Sequence, residues 1–80
     1  MEDKIREILG LHGRLSVDAS TLTPDSDLYA AGMSSHASVS VMLALEESFD
    51  VEFPDSMLKR SVFSSIAAIS EAVSSLQVTA

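Results

Sequence analysis

Between residues 35 and 49 the chain reads SHASVSVMLALEESF. The run holds neither glycine nor proline, and Val39, Met42, Leu45 and Phe49 recur at intervals of three or four. That spacing predicts one helix with those four residues on its buried stripe. A helix with an apolar stripe must bury it against other elements, and the rest of the chain offers helices rather than strands. In MEDKIREILGLHGR, residues Ile5, Ile8 and Leu9 are spaced for one helical face, and Glu2 and Asp3 stand at the end where the helix dipole favours negative charge. Gly10 is expected to interrupt this helix and Gly13 to stop it. Pro54 suits a first helical turn, so PDSMLKR predicts about two turns, closed by Lys59 and Arg60. Ile66, Ile69, Val73 and Leu76 predict the last helix, with Ser64 or Ser65 as its N-cap. Only the brief DVEF at residues 50–53 reads as extended. The expected fold is all-α, a small four-helix bundle with a short third helix, built as a single domain from residues 1–80.

Residues 15–34, LSVDASTLTPDSDLYAAGMS, lack sustained periodicity and are rich in Ser, Thr, Asp, Pro and Gly. They predict a long first loop with at most a turn of helix near DLYAAG. Loops of this length are uncommon in compact domains unless they are functional or packed by their own side chains. Leu15, Val17, Leu22 and Leu28 are the residues expected to pin it to the core.

Composition narrows the function. Twelve acids against five bases leave a net charge of -7, opposite to the basic footprint that nucleic acid requires. The absence of cysteine excludes a disulfide framework, a thiolate zinc site and a thiol nucleophile on the chain itself. No apolar run approaches the roughly 20 residues of a membrane span, and the charged N-terminus does not read as a signal peptide. The expectation is a cytoplasmic monomer with neither nucleic-acid nor membrane partners. A chain of this size buries only about 60–65% of its unfolded surface, which leaves little room for a deep catalytic site.

The chemistry-bearing stretch is GMSSH at residues 32–36. A Ser–His hydrolase would need a strand–turn–helix elbow of the form G-x-S-x-G, which is missing. Neighbouring helical residues also diverge by about 100°, so His36 is badly placed to serve Ser35 as a base. The DSD at residues 25–27 lacks the further oxygen ligands of a calcium loop and reads as an Asx turn or cap. One of Ser34 and Ser35 is expected to cap the long helix. The same helix end also suits a phosphate, through its free N–H groups and the positive end of its dipole.

The stretches DSDLYAAGMSS, VMLALEESFDVEFPDSML and VFSSIAAISEAV together resemble the acyl carrier proteins, the phosphopantetheine-binding carrier family, over nearly the whole chain. The resemblance implies a non-enzymatic, stand-alone carrier. Ser35 aligns with the family's modified serine, and Ser34 stands where aspartate is usual. It implies 4'-phosphopantetheine, covalently attached to Ser35 from coenzyme A by a phosphopantetheinyl transferase with magnesium. The arm would carry an acyl or aminoacyl group as a thioester. The remaining partners implied are an acyl- or amino acid-activating ligase and a downstream acyltransferase. The family's usual Asp-Ser-Leu reads Ser34, Ser35, His36 here, and SHASVSV lacks the acids that many fatty-acid carriers present. Those departures resemble the aminoacyl carrier proteins, whose ligases are truncated, seryl-tRNA-synthetase-like relatives of class II synthetases. The partner is then not the ordinary fatty-acid machinery.

On this resemblance the partner-recognition residues are Met33, Ser34, His36, Val39, Leu43, Glu46 and Glu47. Met33 and Val39 are also candidates for the core, whereas Leu43 lies off the apolar stripe. Val62 and Phe63 precede the last helix, near where family members form one side of an acyl pocket, but with Ala67 and Ala68 they read more readily as core. The competing reading is an acidic helical interaction module without a prosthetic group, in which Ser35 serves only as a cap.

Overall fold

The computed structural model describes residues 1–77 and shows three α-helices: α1 (Glu2–His12), α2 (Ser35–Phe49) and α3 (Ile66–Gln77). Short 3₁₀ turns lie at Ala19–Thr21, Asp55–Met57 and Arg60–Phe63, and no strand occurs among the described residues. The all-α expectation is met, but the fourth helix is not. In place of a two-turn helix, PDSMLKR holds one 3₁₀ turn and the start of another. Leu58 (φ −84°, ψ 62°) and Lys59 (φ −121°, ψ 148°) leave the helical region between them. Lys59 and Arg60 therefore open the second turn instead of closing a helix.

Gly10 does not interrupt α1, which runs on to Gly13 at its C-cap. Ile5, Ile8 and Leu9 are buried, and α1 packs against both α2 and α3. At the far end of α2, Asp50 adopts the left-handed conformation (φ 54°, ψ 50°) and stops the helix. Aspartate is one of the few side chains that tolerate this conformation readily. Phe53 and Phe63 then close the core with ring centroids 5.4 Å apart and a tilt of 54°. Offset and tilted ring pairs of this kind are favoured by the aromatic quadrupole.

The buried stripe of α2 differs from the expected one. Ala37, Val41 and Leu45 face the core, Met42 and Phe49 flank it, and Val39 is 49% exposed. At about 100° per residue, Val39 sits two steps from Val41 and so points almost directly away from the core. The helix carries apolar side chains nearly all round, and intervals of three and four fit a second stripe as well as the true one.

The long loop is held as predicted by Leu22 and Leu28, both buried, and by half-buried Leu15; Val17 is exposed. Its single 3₁₀ turn lies at Ala19–Thr21, and the turn expected near DLYAAG is present too, with Ala31 N–H donating to the Asp27 carbonyl and Gly32 N–H to the Tyr29 carbonyl, both at 3.1 Å. Asp18 caps that turn, and the Ser20 backbone N–H, followed by the Ser20 hydroxyl, holds its carboxyl below the usual carboxylate range. The loop is also stitched to α3. Leu28 N–H donates to the Ser64 carbonyl at 2.8 Å, and Ala67 N–H donates to the Pro24 carbonyl at 2.9 Å. Ser65 accepts from Ala68 N–H at 3.1 Å, the cap expected for α3. These bonds bring the end of the loop, the start of α2 and the Arg60–Phe63 turn to one end of the bundle.

Candidate functional site

The approach to α2 is fixed by local hydrogen bonds. Asp27 Oδ1 accepts from Tyr29 N–H at 2.9 Å and Ala30 N–H at 3.3 Å, an Asx turn. Among the described residues no group of carboxylates and histidines forms a metal site. The Ala31 carbonyl accepts from both Ser16 N–H (2.8 Å) and Ser16 Oγ (2.9 Å). Met33 N–H then donates to the Leu28 carbonyl at 3.0 Å, and its side chain is buried at 2% exposure. The chain enters the core at Met33 and emerges at Ser34.

Ser34 is extended (φ −83°, ψ 166°), and its Oγ accepts from Ala37 N–H at 3.0 Å. Ser34 is therefore the N-cap and Ser35 the first helical residue. The Ser35 side chain is exposed, and its hydroxyl makes no hydrogen bond among the described residues. The pair divides its labour: one hydroxyl starts the helix, and its neighbour stays available for chemistry. Ser34→Ala is expected to lower stability by about 0.5–2 kcal/mol through loss of the cap, while Ser35 keeps its reactivity. Urea unfolding and intact-protein mass after modification would measure the two effects separately.

The other candidate residues fall into two groups. His36, Val39, Leu43 and Glu47 are exposed on α2, and His36 makes no hydrogen bond with Ser35. Met33 is not a surface contact, because it belongs to the core. Glu46 is half-buried, and its carboxylate accepts from Phe53 N–H at 2.8 Å. It thus ties α2 to the segment beyond it and is not a free recognition charge.

Beside Ser35 lies a pocket of about 380 Å³, within the size range of small-ligand sites. Met42 and Phe63 supply apolar surface, and Tyr29, Lys59 and Arg60 form much of the remaining wall. The Arg60 guanidinium stands 3.9 Å from the Tyr29 ring centroid, and Tyr29 OH donates to the Arg60 carbonyl at 3.3 Å. The lining contains no carboxylate. Phe63 belongs to the core, as expected, and also lines this pocket; Val62 packs against the core and lines a separate depression beside α3. Tyr29, Lys59 and Arg60 were not foreseen as part of the site. The available signal was a pair of adjacent cations in a chain of charge -7. An exposed hydroxyl beside a carboxylate-free pocket with two cations fits a phosphate-linked group.

Residues 3–73 match the family model described as the phosphopantetheine attachment site. An aminoacyl carrier protein of Agrobacterium fabrum is 52% identical over 73 residues, covering 91% of this chain and 88% of the relative. Among solved structures, one match is to a crystal structure of an engineered Bradyrhizobium japonicum glycine:[carrier protein] ligase complexed with carrier protein from Agrobacterium tumefaciens and AMP. That match has 51% identity and a TM-score of 0.90, and it covers 92% of this chain and 99% of the matched one. A further match is to the Bradyrhizobium japonicum ligase complexed with glycylated carrier protein, at 25% identity and a TM-score of 0.76, covering 89% and 95% of the two chains.

Proposed function

The chain belongs to the phosphopantetheine-attachment family, and on that premise we propose that Ser35 is the residue that bears the arm. The protein is a homologue of aminoacyl carrier proteins, acts as a carrier and not an enzyme, and uses covalently attached 4'-phosphopantetheine. The observation that carries the assignment to Ser35 is the division of roles at the start of α2. Ser34 is committed to the cap, and Ser35 presents an exposed hydroxyl without a partner among the described residues. In the transfer, Ser35 Oγ forms a bond to the phosphorus of the pantetheine phosphate. The P–O bond of the coenzyme A diphosphate breaks, adenosine 3',5'-bisphosphate leaves with its electron pair, and the serine proton passes to a base on the transferase. When bound, the arm supplies the thiol that this cysteine-free chain lacks and holds its cargo as a thioester.

The cargo is an amino acid, delivered by an amino acid-activating ligase. Similarity to carriers in complexes with glycine:[carrier protein] ligases supports this reading and makes glycine the first amino acid to try. The ligase is of the truncated, seryl-tRNA-synthetase-like kind, and a downstream acyltransferase removes the cargo. His36, Val39, Leu43 and Glu47 form the surface that these partners meet. Tethering keeps the cargo at high local concentration at each partner, which a freely diffusing thioester would not be.

The test is intact-protein mass after incubation with coenzyme A, magnesium and a phosphopantetheinyl transferase, followed by peptide mapping. One phosphopantetheine on Ser35 is expected, and a further glycyl increment after adding glycine, ATP and a glycine:[carrier protein] ligase. An adduct on another residue, or none with the cognate transferase, overturns the Ser35 assignment. Fatty-acid elongation enzymes accepting the loaded chain as readily as their own carrier would overturn the aminoacyl reading.

A further inference from the structure

The five basic residues of this acidic chain are not used alike. Lys4 pairs with Glu7 at 3.7 Å, and Arg6 lies 3.9 Å from both Glu2 and Asp3, all within α1. Arg14 follows that helix. Lys59 and Arg60 form no ion pair among the described residues, and both line the pocket that Ser35 lines. In a protein of net charge -7, two unpaired cations beside a carboxylate-free pocket make a local island of positive potential. Arg60 is also placed rather than free, since its guanidinium is stacked on Tyr29 and its carbonyl accepts the Tyr29 hydroxyl. Stacking of this kind restricts the side chain without using up its N–H donors.

We propose that Lys59 and Arg60 form an anion site for the phosphodiester of the arm, docking the adjoining pantoyl group against Met42 and Phe63. The inference rests on Ser35 bearing the arm. The attachment itself makes the phosphodiester a permanent monoanion, one ester link from the pocket's edge. The pocket has the matching character, lined both by the exposed Lys59 and Arg60 and by the less exposed apolar Met42 and Phe63. The docked arm is a resting state from which ligase and acceptor enzymes must withdraw it. Exposed ion pairs are individually weak and screened by salt, so the docked arm stays exchangeable.

The experiment uses isotope-labelled protein loaded from unlabelled coenzyme A, after peptide mapping has located the adduct. Isotope-filtered contacts are expected from the pantoyl methyl groups to Met42 and Phe63, with a phosphorus resonance displaced from that of the same phosphodiester in the urea-unfolded protein. Lys59→Gln with Arg60→Gln should lower the docked-to-undocked ratio about two- to thirty-fold, the range that two exposed ion pairs support. About 1 M salt, which screens charges beyond about 3 Å, should act in the same direction on the unmutated protein. The salt arm also keeps the test valid if the double variant folds poorly. An adduct on Ser35 without those contacts, or contacts indifferent to both charge removal and salt, overturns the anion site and leaves the carrier reading intact. No adduct on Ser35 overturns the carrier assignment instead.

Discussion

Ser35→Ala is expected to leave a folded protein that takes up no phosphopantetheine. The Ser35 hydroxyl accepts and donates no hydrogen bond among the described residues, and its side chain is exposed, so removing it opens no cavity and orphans no buried group. The position is helical, where alanine is a slightly better residue than serine. Stability should therefore change by no more than about 0.5 kcal/mol, the usual range for a surface substitution. Modification is all-or-none by contrast, because the substitution removes the oxygen to which the phosphate must be joined. Intact mass after incubation with coenzyme A and transferase reads the first effect, and thermal unfolding followed by circular dichroism reads the second. A variant that is still modified would mean that another serine carries the arm. One that unfolds would mean that Ser35 has a structural role absent from its contacts. Ser34→Ala should show the reverse pattern, losing stability and keeping modification, so the two adjacent serines form a matched control.

Much of this site was legible before any coordinates. The absence of glycine and proline from residues 35–49 predicts α2 with its observed bounds, and the paired serines at its start predict a cap. Which serine caps was not legible, because both satisfy the same propensity and only the backbone angles at Ser34 separate them. On the buried face of α2, Leu45, Met42 and Phe49 meet the core as expected, whereas Val39 was misassigned and Ala37 and Val41 were missed for a similar reason. Val39 is as apolar as the residues that face inward, and small Ala37 gives little signal although it is buried. The missing third helix reflects tertiary context: Leu58 and Lys59 have no strong preference against helix, yet the chain turns there to bring Phe63 against Phe53. The same turn sends Lys59 and Arg60 to the Ser35 pocket, a juxtaposition of residues far apart in sequence that no local pattern encodes.

Gly32→Ala is expected to be the most damaging single-methyl change near the site. Gly32 has φ 114°, a conformation that residues with a Cβ rarely adopt, and an added Cβ would stand 2.8 Å from the Ser16 backbone nitrogen and 3.1 Å from Ser16 Oγ. Those are the two donors that hold the Ala31 carbonyl. Relief of the contact must push Ser16 away and strain both bonds. Backbone strain of this kind costs about 1–3 kcal/mol, and each compromised hydrogen bond about 1 kcal/mol more. A domain of 80 residues has only about 4–12 kcal/mol in total at typical values per residue. The loss also falls three residues before Ser35, so the start of α2 should shift and modification should slow even in molecules that remain folded. Gly10→Ala is the control. Gly10 lies inside α1, where an added Cβ would meet only Ala19 Cβ at 3.8 Å, an ordinary contact. Alanine there should stabilise the protein by about 0.5–1 kcal/mol. Urea midpoints and initial rates of phosphopantetheine transfer, measured on both variants, should move in opposite directions for stability and differ in rate only for Gly32→Ala. Equal stability and rate for Gly32→Ala and the unmutated protein would show that the Ser16–Ala31 contact does not position Ser35.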